Sequence, residues 1–175
     1  MALFVLFETG LQMLADNPTL YYRNDECTRF ISRVPVTWDE TRALKAVAGK
    51  FAVVAKRKGD KWYVGAINGS NEGIELEIPL DFLTPGKNYT MTGFEDGINA
   101  FRQAMDYRKT QRRVDSTGKA TLKIARNGGW AAGIEESSRP ACSSPGVLNA
   151  PGDNFSGTIP VAENIRVILP LVPVI

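Results

Sequence analysis

The sequence predicts a mainly β protein: an antiparallel β-sandwich preceded by one or two α-helices and followed by an irregular C-terminal tail. Three observations carry this expectation. Apolar residues recur at helical spacing before Asn17. From Thr37 to Glu135 the period changes to two, the spacing of a half-buried strand. Gly, Pro, Asn and Asp punctuate that second stretch at short intervals, as in sandwiches and barrels, and no segment resembles a βαβ unit.

At the N-terminus, Leu3, Phe4, Phe7, Leu11 and Leu14 fall near one helical stripe, with Glu8, Gln12 and Asp16 off it. The pattern is already running at residue 1 with no N-cap before it, so the helix is expected to belong to a larger body. Each large apolar side chain left in water forgoes about 1.5–3 kcal/mol of burial, so this helix needs a partner surface. Asn17-Pro18 is expected to end it, because the residue before proline is pushed out of the α region. A second, shorter helix is predicted from about Asn24 to Arg33. Asn24 serves as its cap, Asp25 and Glu26 suit its positive end, and Cys27, Phe30, Ile31 and Val34 form its apolar face. Pro35 stops it.

The strands follow in order. Thr37–Ala43 reads as the first. Phe51–Lys58 and Lys61–Asn68 flank Gly59-Asp60, a strong hairpin signal. Ile74–Pro79 alternates as Ile-Glu-Leu-Glu-Ile. Pro85-Gly86 turns the chain into a strand near Tyr89–Glu95. Tyr107–Val114, Thr121–Ala125 and Trp130–Glu135 complete the series, with Ser116-Thr117-Gly118-Lys119 and Asn127-Gly128-Gly129 as turns. After Glu136 the composition shifts to Ser, Pro, Gly and Asn, the signature of a linker. The closing RVILPLVPVI is apolar but broken by prolines, so it is expected to be irregular.

Composition narrows the chemistry. Hydrophobic residues are 43% and charged residues 23%, which argues against wholesale disorder. A formal charge of +2 advertises no nucleic-acid partner, and the basic run Arg108-Lys109-Thr110-Gln111-Arg112-Arg113 reads as a solvated strand face. The chain has no histidine, which removes the usual general base for serine or cysteine nucleophiles. Its two cysteines, Cys27 and Cys142, form no CxxC, so a zinc site is not expected. Met1 to Phe7 lacks the basic n-region and cleavage site of a signal peptide and is too short to span a bilayer.

Adjacent acid pairs occur at Asp39-Glu40, Glu95-Asp96 and Glu135-Glu136. Neighbours on a strand point to opposite faces, so no pair can straddle one sugar as glycoside hydrolysis requires. Trp38, Trp62, Tyr63 and Trp130 lie on expected strands. Trp62 and Trp130 are candidate sugar contacts if exposed and core residues if not; Trp62 and Tyr63 face opposite ways, so one of them is expected to be core. Asn68-Gly69-Ser70, Asn88-Tyr89-Thr90 and Asn154-Phe155-Ser156 match the glycosylation sequon, a pattern common by chance.

Phe7-Glu8, then Leu11-Gln12-Met13-Leu14-Ala15-Asp16-Asn17-Pro18, Tyr22, Val34-Pro35 and Thr37-Trp38-Asp39-Glu40-Thr41 resemble the junction between catalytic barrel and C-terminal domain in glycoside hydrolase family 97. Val53-Val54-Ala55-Lys56-Arg57-Lys58-Gly59, Trp62-Tyr63-Val64-Gly65-Ala66 and Gly128-Gly129-Trp130-Ala131-Ala132 resemble that C-terminal domain itself. Gly10 stands where the family tends to have proline, and the chain beyond Glu136 has no counterpart. The resemblance implies an N-terminal β-sandwich, a (β/α)8 barrel and a C-terminal β-domain associated with oligomerisation, in enzymes that remove α-linked glucose or galactose. It divides the chain into terminal barrel helices (1–34), the C-terminal β-sandwich (35–136) and a tail (137–175). The implied catalytic residues and calcium ligands lie on the barrel and the domain before it, so no catalytic, cofactor-binding or metal-binding residue carries over to this chain. The implied partners are the upstream barrel, the N-terminal sandwich and a second subunit. A periplasmic or secreted location is implied for the parent family. The alternative function is a carbohydrate-binding module that uses exposed aromatics.

Overall fold

The computed structural model describes residues 1–9, 13–14 and 17–137. Among these, α1 (Ala2–Leu6), α2 (Pro18–Arg23) and α3 (Asp25–Arg33) precede eight strands. The strands are β1 (Glu40–Val47), β2 (Phe51–Lys58), β3 (Lys61–Asn68), β4 (Ile74–Pro79), β5 (Tyr89–Asp96), β6 (Tyr107–Val114), β7 (Lys119–Ile124) and β8 (Gly129–Glu136). Six of them form one sheet in the order β1-β2-β3-β8-β5-β6, and β4 pairs with β7 in a second. Every pairing is antiparallel. The chain crosses to the small sheet after β3, returns for the β5-β6 hairpin, revisits the small sheet as β7, and closes the large one with β8 between β3 and β5.

Alternation explains the core. Val53 and Ala55 of β2, Trp62, Val64 and Ala66 of β3, and Trp130, Ala132 and Ile134 of β8 point to one face of the large sheet. They meet Ile78, Leu122 and Ile124 of the small sheet. Leu80, Phe82 and Leu83, in the link after β4, seal the space between. The predicted sandwich is therefore present, and seven of its strands fall within a few residues of their expected places. The hairpin at Gly59-Asp60 joins β2 to β3 with full register from Phe51↔Asn68 to Lys58↔Lys61. Gly59 supplies the positive φ of 57° that a two-residue hairpin needs at its first central position.

The N-terminal expectations need correction. The first helix stops at Leu6 instead of running to Leu14, and residues 7–9 and 13–14 are not helical. Leu11 of the expected stripe, and Gln12 and Asp16 off it, lie outside the described residues. Asn17-Pro18 starts a helix where it was expected to end one. The Asn17 side chain accepts a bond from the Leu20 N–H at 3.1 Å, and Pro18 occupies the first helical turn, where its missing N–H costs nothing. Asn24 does precede α3, but its side chain makes no cap there; its Nδ2 donates to the Leu20 carbonyl at 3.0 Å and closes α2 instead. The first strand runs later than expected, from Glu40 to Val47, because the stretch around Trp38 is drawn across the sheet face. The tail expected from residue 137 lies, beyond Ser137, outside the described residues, as do Cys142 and the Asn154 sequon.

Candidate functional site: the helix-covered sheet face

The outer face of the large sheet is covered instead of solvated, and its cover is made by the N-terminal segment. The floor is cut low where α1 lies. A Cβ placed on Gly65 of β3 would stand 2.9 Å from Val5 Cβ and 3.0 Å from the Ala2 carbonyl, and one on Gly129 of β8 would stand 3.3 Å from Ala2 Cβ. Only glycine lets the helix approach this closely. Val5 and Ala2 are buried as a result.

Lys56 fastens the end of α1. It is 1% exposed, although lysine is rarely buried without a partner. Its Nζ donates to the Leu6 carbonyl at 3.0 Å and lies 3.3 Å from Glu8 Oε1. Leu6 carries a carbonyl at the negative end of α1, so the cation answers an orphan acceptor. The ammonium also sits 5.4 Å from the centre of the Trp38 ring. Thr41 Oγ1 donates to Glu8 Oε1 at 2.9 Å. The Thr41 bond first, then Lys56, hold the Glu8 carboxyl below the usual glutamate range.

Aromatic rings continue the cover across the sheet. Trp38 meets Tyr63 edge-on at 5.5 Å, and Phe30 of α3 meets Tyr63 at 6.5 Å and Phe94 at 5.1 Å. Phe94 meets Tyr107 at 6.0 Å. The Tyr63 hydroxyl donates to the Arg33 carbonyl at 2.9 Å, which pins the end of α3 as Lys56 pins the end of α1. Lys109 of β6 reaches Glu26 of α3 at 2.9 Å. Tyr107 is pushed up to about 12, first by its hydrogen bond with Cys27 of α3 and then by burial. Between α1, α3 and the loop 97–106 a cleft of about 860 Å³ remains, lined by Leu3, Leu14, Cys27, Ala104, Met105 and Tyr107 among others. Among the described residues the geometry is that of a packing seat for the N-terminal helices, with close backbone approach, a charge clamp and ring packing, and with no convergent set of reactive groups.

A family model described as the glycosyl-hydrolase 97 C-terminal, oligomerisation domain matches residues 37–135. The chain belongs to glycoside hydrolase family 97. Within that family it corresponds to the non-catalytic C-terminal domain. It is 39% identical over 135 residues to a retaining α-galactosidase of Bacteroides thetaiotaomicron, covering 77% of this chain and 20% of that protein. A probable retaining α-galactosidase of Streptomyces bingchenggensis is 37% identical over 80 residues, 46% of this chain and 12% of the relative. Among solved structures, a family 97 enzyme of Pseudoalteromonas sp. in complex with acarbose superposes with a TM-score of 0.74 at 34% identity, over 78% of this chain and 22% of that one. A β-arabinopyranosidase superposes at 0.63 with 30% identity, over 75% of this chain and 20% of that one. The chain thus spans about one fifth of the length of the first relatives it matches.

The family 97 fold decides where the sequence candidates fall. Trp62 is 5% exposed, packed on Phe82 at 4.8 Å, with the Arg42 and Arg57 guanidinium groups 5.8 and 5.9 Å from its ring centre. Trp130 is 1% exposed. Neither ring offers a face to a sugar. Trp62 faces the sandwich core and Tyr63 the opposite side, as expected of the pair, yet Tyr63 is buried as well, because both faces of β3 are covered, one by the small sheet and one by the helices.

Each adjacent acid pair is committed to a structural partner. Asp39 accepts from the Gly59 N–H at 2.8 Å and from Lys58 at 2.9 Å, and Glu40 holds Arg42 and Arg57. Glu135 and Glu136 pair with Lys61 and Lys87. Glu95 is buried beneath β6, bonded to Arg108, Arg112 and Thr110. Burial alone would raise its carboxyl, but the Arg108 bond, the Arg112 charge and the hydroxyl of Thr110 outweigh it and hold it below the usual value. Asp96, on the opposite face, is raised by burial against the bonds it accepts from the Ala125 and Gly129 N–H groups. The basic run of β6 is therefore partly spent on Glu95 and Glu26.

Asn68 is equally committed. Its Nδ2 donates to the Glu72 and Ala125 carbonyls at 2.7 and 3.0 Å, which leaves the asparagine of the first sequon buried. Among the described residues no group of three or more His, Cys, Asp or Glu side chains is placed to hold a metal ion. Calcium, which the family resemblance implies for the full enzyme, finds no fitting donor set on these residues. The seat itself was missed by sequence reading. Its signals were present in Gly65 within an otherwise apolar strand and in a lone lysine in the run Val53-Val54-Ala55-Lys56.

Proposed function

We propose that this chain is the packing and oligomerisation domain of a family 97 α-galactosidase or α-glucosidase, acting through surfaces and not through chemistry. Its first 34 residues belong with the catalytic barrel, and residues 35–136 form the supporting sandwich. The observation that carries this reading is the docking seat: α1, which resembles the end of the barrel, lies on a floor of Gly65 and Gly129 and is locked by the buried Lys56. The retaining α-galactosidases among its relatives and the acarbose-bound family 97 structure support the substrate class. Catalytic carboxylates and any calcium then reside on the parts of the enzyme upstream of this domain, as barrel enzymes build their sites at strand ends.

The reading is tested on the purified chain. No release of nitrophenol from nitrophenyl α-galactoside or α-glucoside is expected, and no heat on titration with maltooligosaccharides at millimolar concentration. Turnover would overturn the non-catalytic assignment, and saturable heat would restore the sugar-binding alternative.

A further inference from the structure

Asparagine is followed by glycine at Asn68-Gly69 and at Asn127-Gly128, and the fold treats the two steps oppositely. Such a step is chemically labile, because glycine has no side chain to shield its backbone nitrogen from the neighbouring carboxamide. Asn68, at the end of β3, is immobilised. Its Nδ2 is spent on the Glu72 and Ala125 carbonyls, and its Oδ1 accepts the Ser70 N–H at 3.0 Å and the Ser70 hydroxyl at 2.6 Å. The Gly69 N–H, the nitrogen that would attack it, is held by the Lys50 carbonyl at 2.7 Å.

Asn127 stands exposed in the turn between β7 and β8, and its side chain makes no hydrogen bond among the described residues. It is also the one described non-glycine residue with a positive φ, 51°. The step cannot be shielded by another residue at 128, because the Asp96 carboxylate fills the place a side chain would take. A single turn bond, from the Gly128 N–H to the Ala125 carbonyl at 3.0 Å, has to open before the nitrogen is free.

We propose that Asn127 is a site of covalent modification, converting through a succinimide to aspartate and isoaspartate, while the fold protects Asn68. The Gly128 nitrogen loses its proton and attacks Asn127 Cγ. The new N–Cγ bond forms, the Cγ–Nδ2 bond breaks, and the departing amide takes up a proton and leaves as ammonia. Water then opens the ring: addition at the side-chain carbonyl gives aspartate, and addition at the main-chain carbonyl gives isoaspartate. The sum is asparagine plus water to carboxylic acid plus ammonia, with nothing oxidised or reduced. The consequence reaches past the turn. The Asn127 N–H bonds the Ser70 carbonyl at 3.2 Å, and the Gly128 carbonyl accepts the Asn68 N–H at 3.0 Å. Isoaspartate adds a methylene to the backbone between these two bonds, so both cannot keep their geometry, and the turn loosens from the loop after β3.

The test ages the 175-residue chain at mildly alkaline pH and follows each asparagine by peptide mass mapping, with an isoaspartate methyltransferase to label the product. In the folded chain Asn127 is expected to convert at least about tenfold faster than Asn68, which must wait for local opening of its loop. In concentrated urea the two are expected to convert at similar rates, since the same dipeptide then reacts without a fold around it. Asn127→Gly suits the positive φ and removes the carboxamide. It is expected to abolish the label at residue 127 and the fall in melting temperature that accompanies ageing of the parent. Equal rates at Asn68 and Asn127 in the folded chain overturn the proposal, as does an Asn127 that stays intact when folded yet converts in urea. A N127G chain whose melting temperature falls with age as the parent's does overturns the link between this modification and the loosened turn.

Discussion

Lys56 shows how a residue can be chosen for one distant carbonyl. Its neighbours Val53, Val54 and Ala55 fit a strand, and nothing local calls for a charge beside them. The cost of burying an ammonium is offset by the Leu6 carbonyl, Glu8 and the Trp38 ring together. Lys56→Met keeps the stem's packing but leaves the Leu6 carbonyl without its donor. It is expected to lower stability by about 1–3 kcal/mol, measured by urea unfolding. A variant as stable as the parent would show that the clamp is incidental to α1. The same logic explains why the buried fate of Trp62 could not be read beforehand. Its alternation with Tyr63 was visible, but the presence of a cover on both faces of β3 was not.

At the scale of the element, α1 is held by shape as much as by bonds. A helix of five residues has too few internal bonds to persist alone, so its order comes from the seat. Gly65→Ala places a methyl where Val5 and the Ala2 carbonyl already stand. The helix must lift, at a cost of about 1–3 kcal/mol for overpacking. The expected signature is a lower melting temperature together with faster amide exchange in residues 2–6, and melting without that exchange would locate the damage elsewhere.

The strands were legible because alternation and turn chemistry are local: Gly59-Asp60 and the Ile-Glu-Leu-Glu-Ile of β4 declare themselves within a few residues. The helices were not. Asn17-Pro18 suits both a helix end and a capped helix start, and only the partner N–H of Leu20 decides between them. The apolar stripe misread the buried face: Leu3, Phe7 and Leu14 are exposed, and the residues that α1 buries are Ala2 and Val5. The seat was hidden for the same reason, since a glycine in a strand reveals close approach but not what approaches.

For the whole molecule, the balance of carboxylates sets the acid limit. Glu95 is held below the ordinary glutamate value of 4.5, and Glu8, Asp39, Glu40 and Asp115 are lowered as well. A depressed folded pKa contributes stability that is fully present above the unfolded value and is lost as pH falls through the folded one. Asp96 runs the other way: raised above its ordinary 3.8, it contributes stability at low pH that is lost as pH rises through its folded value. Five lowered groups against one raised give a stability plateau that falls as pH drops below about 4.5. Glu95→Gln is expected to flatten that fall and to lower the neutral-pH plateau, as followed by thermal melting from pH 3 to pH 7. A parallel acid limb in the variant would remove Glu95 from the account.

The charged edge of the large sheet has a consequence for assembly. β6 ends the strand order with its hydrogen-bonding groups open on one side, yet Arg108, Lys109, Arg112 and Arg113 line it. A second β6 laid alongside would set basic side chains against their like, so this edge is disfavoured as a seam between two copies of itself.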